Sequence, residues 1–231
     1  MKLGEPQKKQ LRKDPVIVLG MHHSGTSILA EVLHRNGIFM QPNWRHYESK
    51  FFARDINERL ILEDEAGWAR LPLMPVKEIM QKYEIVKKTI EKRAYMKYIA
   101  SGYDGQSRWG FKDPRTCITL PLFLRIFPNA YLIHISRRED DVAASLASSF
   151  KRGVGLNRDR EHWKALRQAY IERIHEFGTK HERFMEISYE KFCQKPVAVM
   201  QEVFDFLGVA FQTTTKQFLQ ETIYTHRINI A

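Results

Sequence analysis

One stretch limits what this chain can fold into more than any other: Val16-Ile-Val-Leu-Gly-Met-His-His-Ser-Gly-Thr-Ser27, running unbroken into Ile28 to Asn36. Val16 to Leu19 is an apolar, β-branched run of strand length. Ile28, Leu29, Val32 and Leu33 then recur at helical spacing as far as the helix stop Asn36-Gly37. The turn between them is bounded by Gly20 and Gly25. A strand, a glycine turn and a helix in that order present the backbone N–H groups of residues 22–27 at a helix N-terminus. Unpaired donors and the helix dipole favour an anion there, typically a phosphate. The stretch reads as a phosphate loop.

The Walker pattern G-x4-G-K-[ST] matches at Gly20, Gly25 and Ser27, but Thr26 stands where the phosphate-reaching lysine belongs. Hydrolysis of ATP or GTP is therefore disfavoured. Such a loop still holds a 5′-phosphate and a second oxyanion through backbone amides, Ser24, Thr26 and Ser27, with His22 or His23 as a further donor.

At 231 residues the chain is long enough for one α/β domain that needs no disulfide staples. Residues 1–13 read as a flexible basic tail, with Lys8, Lys9, Arg12 and Lys13. The apolar run Val16 to Met21 is too short for a signal-peptide core, and no segment approaches the roughly 18 apolar residues of a membrane span. Cys117 and Cys193, both among apolar neighbours, read as buried thiols, which makes a reducing cytoplasm the expected location. The net charge of +10 admits several anionic partners. No RNP, zinc-finger or repeat pattern points to nucleic acid.

Residues 38–105 form an insertion after the loop. Ser49 to Glu65 carries Phe51, Phe52, Ile56, Leu60, Ile61 and Leu62 in a helical pattern, with His46 and Glu48 just ahead of it. His46 reads as a surface histidine or a base. Glu48 reads as a complement to a helix dipole or a base. Trp68 and Leu71 to Pro75 make an apolar loop. Val76 to Ala100 reads as one long basic helix, whose lysines either stay solvated over apolar surface or border an acidic substrate.

Trp109 to Lys112 is a short strand, and Asp113-Pro114 forces a turn at its end. Lys112, Asp113 and Arg115 thereby reach the carboxyl edge of a parallel sheet, where open α/β folds bind ligands. Thr116 to about Phe127 follows as a helix. Ala130 to Ser136 is the next strand, with Arg137 at its exit, and Glu139 to Asp141 open a helix running through Phe150. Arg137 and Ser145 are placed to converge on one anionic group, the guanidinium gripping it with two bonds and the hydroxyl with one. Arg138 competes for that role, and either arginine has a salt bridge to the acidic turn as its ordinary use. Lys151-Arg152-Gly153 either closes over a nucleotide or is a solvated basic loop. Trp163, Leu166, Ala169, Tyr170 and Ile174 form a helical core stripe. Phe184 to Ser188 is a strand, and Val197 to Leu207 is a helix closed by Gly208.

Taken together these motifs resemble the PAPS-dependent sulfotransferase family. Gly20-Met-His-His-Ser-Gly-Thr-Ser27 is similar to the family's 5′-phosphosulfate loop, G-x-x-R-S-G-T-[ST]. Arg137 to Ser145, with Asp141 between, matches its 3′-phosphate motif R-x3-D-x3-S. Lys112-Asp-Pro114 is similar to a Lys-Asp-Pro element of tyrosylprotein sulfotransferases and many bacterial members. Ile187-Ser-Tyr-Glu190, Pro196 and Phe206-Leu-Gly208 resemble the family's C-terminal stretch. One position departs: His23 stands where the family has arginine or lysine, and histidine is charged only below about pH 6.5.

The resemblance implies an α/β, P-loop NTPase-like three-layer fold with a mainly parallel sheet, and a single domain over 1–231 whose residues 38–105 form the acceptor side. It implies transfer of a sulfonate from PAPS to a hydroxyl of a carbohydrate, phenol or small metabolite, leaving PAP and needing no metal. His22, His23, Ser24, Gly25, Thr26, Ser27, Arg137 and Ser145 would hold the nucleotide. Tyr189 either stacks near the adenine or packs as a core residue. Lys112 and His23 would stabilise the leaving group. Glu48 is the expected base, with His46 the alternative better matched to neutral pH. A kinase of the same fold and a non-catalytic binder of nucleotides or anionic glycans are the competing classes. Acceptor identity and oligomeric state are not legible.

Overall fold

The computed structural model describes residues 10–228 apart from 13, 43, 65, 152–155 and 157, and only the backbone of 150, 151 and 223–228. Its centre is a parallel sheet of four strands in the order β2-β1-β3-β4: β1 Val16–Leu19, β2 Gly110–Lys112, β3 Tyr131–Ser136 and β4 Phe184–Ser188. β1 runs in register with both neighbours, Val18 opposite Lys112 and Ile133. Because every strand points the same way, Leu19, Lys112 and Ser136 all end at one edge, and both faces of the sheet must be covered.

They are covered by two separate apolar layers. Ile17, Leu19, Phe111 and Leu132 face a core shared with α4 (Thr116–Ile126) and α6 (Arg160–Gly178). Val16, Val18, Ile133 and Ile135 face α1 (Thr26–Arg35) and α8 (Pro196–Leu207). This is the three-layer arrangement expected from the sequence. α5 (Glu139–Lys151) follows β3, and the short α7 (Tyr189–Gln194) follows β4, its N-terminus capped by the Ser188 hydroxyl. α9 (Thr213–Ile228), which the sequence reading does not include, closes the chain.

Two expectations for the insertion change. The segment from Ser49 is helical but wound in the wider π form over Phe51–Leu62. Apart from Ala53, its buried residues come in pairs, Phe51 and Phe52, Ile56 and Asn57, Ile61 and Leu62, recurring every five positions. An i→i+5 hydrogen-bonding pattern keeps those pairs on one side where 3.6-residue winding would rotate them away. The basic helix expected over Val76 to Ala100 is two helices, α2 (Val76–Gln81) and α3 (Tyr83–Ile99). The break falls at Lys82, whose N–H reaches back three residues to the Ile79 carbonyl at 3.1 Å and whose ψ of -3° turns the chain out of regular α winding. Lys151-Arg152-Gly153 lies outside the described side chains. Both cysteines are free thiols, Cys117 buried and Cys193 half-buried.

Phe52 links the insertion to the sheet. It is fully buried and stacks on Phe111 of β2 with centroids 4.0 Å apart and planes 12° apart. Phe52→Ala should lower unfolding stability by about 3–5 kcal/mol, the usual cost of an aromatic-sized hole. A urea titration followed by fluorescence tests this, and a loss below about 1 kcal/mol would mean the insertion is not anchored through this ring.

Candidate active site

The loop between β1 and α1 takes its shape from three constraints. The Gly20 N–H donates to Cys117 Sγ at 3.1 Å, which ties the strand exit to α4, and burial pushes that thiol up to about 12. His23 sits in the left-handed region at φ 66°. Gly25 follows at φ 94° as the N-cap of α1, and a Cβ there would overlap the Tyr189 ring. No side chain caps α1 and no acidic residue lies in its first turn. Its leading N–H groups therefore face outward beside Ser24, Thr26 and Ser27, the condition for holding an anion.

Lys112, at the end of β2, is only 1% exposed, yet its Nζ donates to Ser27 Oγ at 3.3 Å and pairs with Glu48 Oε1 at 3.2 Å. Burial lowers the Lys112 pKa, while Glu48 and Asp113 oppose that shift. Burial raises Glu48 above the ordinary carboxylate value; Lys112 pulls it down and Asp113 pushes it further up. Both groups are thus drawn toward neutrality by the same dry surroundings. His46 lies in the short turn Arg45–Tyr47 with a left-handed backbone, lining the same cleft.

Behind this pair lies a polar network that the sequence reading does not contain. Asp113, fully buried, accepts from Asn57 Nδ2 at 2.7 Å and from Arg115 Nε at 3.0 Å. Arg115 also donates to Glu58 at 2.8 Å, and Thr119 donates to Asn57 Oδ1 at 2.8 Å. Burial opposes the Arg115 charge, but Asp113, Glu58 and Glu48 outweigh it and raise its pKa. Asn57 and Glu58 carry no signal in the sequence because their partners, Asp113 and Arg115, lie 56 and 57 positions away.

On the other side of the loop, the structure separates the two arginines. Arg138 forms the ion pair with Asp141 at 2.9 Å. Arg137 instead turns inward: its Nη1 donates to the His23 carbonyl at 3.0 Å and its guanidinium lies 4.7 Å over the Tyr189 ring. Arg137 Nε is buried and has no hydrogen-bond partner. The Arg137 carbonyl accepts from Arg167 at 2.9 and 2.6 Å. His23 Nδ1 and Ser145 Oγ are 2.8 Å apart, so Arg137, Ser145, His23 and Tyr189 form one cluster. Tyr189 serves as a packed residue against Gly25 and Arg137 at once.

The two halves meet at a cleft of about 540 Å³, lined among others by His22, His23, His46, Glu48, Trp68 and Trp163. His22 stacks on Trp68 at 3.9 Å, and Trp68 on Trp163 at 5.7 Å. Burial, then the neighbouring Arg115, His23 and Lys112, push the His22 pKa well below its usual value, so its ring is neutral. Its Nδ1 is buried and unpartnered. The aromatic wall includes Trp163, part of the stripe read from sequence as core. All the residues expected at the site therefore surround one loop, with Lys112, Glu48 and His46 on one side and Arg137, Ser145 and Tyr189 on the other.

A parallel sheet whose strand exits surround an uncapped helix N-terminus defines an α/β protein built to hold a phosphorylated or sulfated ligand. The profile of the sulfotransferase family matches residues 15–213, and the chain belongs to that family. It is a sulfotransferase, and sulfonate transfer is its class of activity. Among curated proteins no sequence matches significantly. Solved structures share the fold at low identity. The sulfotransferase domain of the Synechococcus PCC 7002 olefin synthase is 18% identical, with 91% of this chain and 78% of that one covered and a TM-score of 0.58. A sulfotransferase from Alicyclobacillus acidocaldarius is 15% identical, with 93% of each chain covered and a TM-score of 0.55. Mouse sulfotransferase SULT7A1, solved with PAP, is 15% identical, with 93% of this chain and 65% of that one covered and a TM-score of 0.55. No described helix is long and apolar enough to cross a membrane.

Gly25→Ala tests the loop geometry. The added methyl must displace the Tyr189 ring, at a cost of about 1–3 kcal/mol for overpacking. The substitution should weaken adenosine 3′,5′-bisphosphate binding more than it lowers the urea midpoint. Unchanged binding would show that the Gly25–Tyr189 contact does not shape the loop.

Proposed function

We propose that the donor is PAPS and that this chain moves its sulfonate to an acceptor hydroxyl by in-line displacement, as a bacterial-type member with a Lys-Asp-Pro element at Lys112 to Pro114. One observation carries the reading: a lysine buried to 1% exposure stands between the phosphate-loop helix at Ser27 and the carboxylate Glu48. Glu48 offsets the cost of burying this cation, and the lysine's contact with Ser27 sets the same ammonium at the helix N-terminus where an anion binds. The unpartnered Arg137 Nε, on a side chain linked to Ser145 through His23, supports a second anionic subsite, fitting a nucleotide that carries phosphate at both ends.

In this reading the amides of residues 22–27 with Ser24, Thr26 and Ser27 hold the 5′ end. Arg137 and Ser145 hold the 3′-phosphate, and Tyr189 sets the position of Arg137. PAPS supplies the sulfonate, and what remains for the protein is orientation, charge and one proton transfer. Lys112 donates toward the charge that develops on the departing oxygen. His23 takes the place of the usual cation and meets Ser145 across the loop. Glu48 accepts the proton of the acceptor hydroxyl; its raised pKa makes it a stronger base than an ordinary carboxylate, and partial burial keeps it within reach of an acceptor in the cleft. No metal is called for in these steps. Residues 38–105 supply the acceptor side through Glu48, His46, Trp44 and Trp68, within one domain spanning the chain.

Calorimetric titration with adenosine 3′,5′-bisphosphate, run beside ATP–Mg²⁺, tests the donor assignment. The bisphosphate should bind more tightly, and Arg137→Ala should weaken it about 10- to 100-fold, the worth of charge-assisted bonds. Preference for ATP–Mg²⁺ would move the protein to the kinase class, and binding without sulfated product over a broad acceptor screen would leave it a binder.

The base is tested by pH. A carboxylate must lose its proton to act, so kcat/KM should fall as pH drops through the Glu48 pKa, at a midpoint above the ordinary 4.5. Glu48→Gln should lower kcat by about 10²–10⁴ and erase that acid limb. If the limb survives in Glu48→Gln and disappears in His46→Ala, the base is His46.

A further inference from the structure

A second group of chemically capable side chains lies away from the cleft, on the α6 face of the sheet. The β3–β4 register sets His134 directly beside Glu186, and His134 Nδ1 lies 3.0 Å from Glu186 Oε2. His175, on α6, brings its Nε2 to 2.8 Å from that same oxygen. The three ligand atoms all fall within 4.8 Å of one another, and the two imidazole planes are inclined by 77°. Among the described residues this is the one trio of His, Cys, Asp or Glu side chains so gathered.

We propose that His134, His175 and Glu186 bind one divalent transition-metal ion, with Zn²⁺ as the reference ion. Two rings aimed at a single carboxylate oxygen from different elements mark out a common centre. An ion about 2.0–2.1 Å from each donor requires neighbouring donors roughly 3 Å apart, and both nitrogen–oxygen separations already meet this. Only the two nitrogens must approach, by a turn of the His175 side chain. Imidazole with one carboxylate selects Zn²⁺, Co²⁺, Ni²⁺ or Cu²⁺ over Mg²⁺ and Ca²⁺. His134 is 2% exposed, but His175 and Glu186 are 45% and 40% exposed, which leaves one side open for the ion to enter and for water to complete its shell. Coordination uses the lone pair of His134 Nδ1 and of His175 Nε2, which the tautomer with its proton on the other ring nitrogen presents.

The ion would be structural. It would brace α6 against β3, and α6 carries Arg167, which donates twice to the Arg137 carbonyl at the exit of β3. The site does not depend on the identity of the donor or acceptor. Its residues are hidden in the sequence by separations of 52 and 11 positions.

The test is calorimetric titration of the chelator-stripped full chain with ZnCl2, with MgCl2 as control and circular dichroism to confirm folding. The wild type should take up one Zn²⁺ per chain and no Mg²⁺. His175→Ala, at an exposed position, and the near-isosteric Glu186→Gln should each weaken Zn²⁺ at least about 10-fold, whereas His46→Ala should not. Co²⁺ should give a visible absorption spectrum in the wild type that is lost in both variants. Failure of the wild type to bind Zn²⁺ at 100-fold excess over protein, or binding that survives His175→Ala and Glu186→Gln, overturns the site.

Discussion

The buried carboxylate of Asp113 is the constraint on which the site depends. A fully buried anion must be neutralised or fully hydrogen-bonded, and here it is held by Asn57 and Arg115. Asn57 comes from the π-helix of the insertion and Arg115 from the start of α4, so one charge fastens the insertion to the sheet. Arg115 then reaches Glu58, binding the same helix a second time. Lys112 precedes Asp113 and cannot shift without disturbing that network. The Glu48–Lys112 contact is the visible end of an anchoring system set one residue deeper. Breaking a buried pair of this kind from one side leaves an uncompensated charge, commonly about 3–5 kcal/mol. The network therefore fixes position more than it adds net stability.

This arrangement also sets how the cleft responds to an anion. Burial lowers Lys112 and raises Glu48, and each partly offsets the effect on the other. An anion at the loop shares the Lys112 charge and stabilises the ammonium. The same sharing weakens the hold of Lys112 on Glu48, whose basicity then rises. In the proposed reading, donor binding and base strength would thus be coupled through Lys112 alone. His22 adds no charge to this balance because burial and the surrounding cations keep it neutral. Stacked on Trp68, it contributes shape and one buried, unpartnered nitrogen to the cleft wall.

What the sequence made legible follows from the range of the forces involved. β1, the glycine turn and α1 were readable because their periodicities are local, and the strand exits because proline and the acidic first turn of α5 mark them. Local pattern left Arg138 competing with Arg137, and only the family motif preferred Arg137. The choice depends on the His23 carbonyl and the Tyr189 ring, contributed from far along the chain. The break at Lys82 and the π winding of Phe51–Leu62 were missed because an α-helical template was laid over both. The five-residue recurrence of buried pairs was present in Phe51-Phe52, Ile56-Asn57 and Ile61-Leu62, but Asn57 does not register as a core residue until Asp113 is seen to need it. Pairings such as Asn57–Asp113, 56 residues apart, leave no local pattern at all.

His23 shows why a departure from the family motif need not dismantle the site. The structural demand at this position falls on the backbone: the His23 carbonyl receives Arg137 at 3.0 Å, and φ of 66° aims it there. Any L-residue can supply that carbonyl at a strain of about 1–2 kcal/mol, so the anchor survives replacement of the side chain. The ring meets Ser145 at 2.8 Å, spanning from the loop to α5. A longer cation here would add permanent charge beside Arg137, whose guanidinium is already held over Tyr189. With histidine, the permanent positive charge around the loop rests on Arg115, held by Asp113 and Glu58, and on Arg137, held by the His23 carbonyl over the Tyr189 ring, while Arg45 lines the cleft beside them. The loop can therefore lose its usual cation and keep its geometry, because the charges that matter are pinned to the strand exits rather than to the loop.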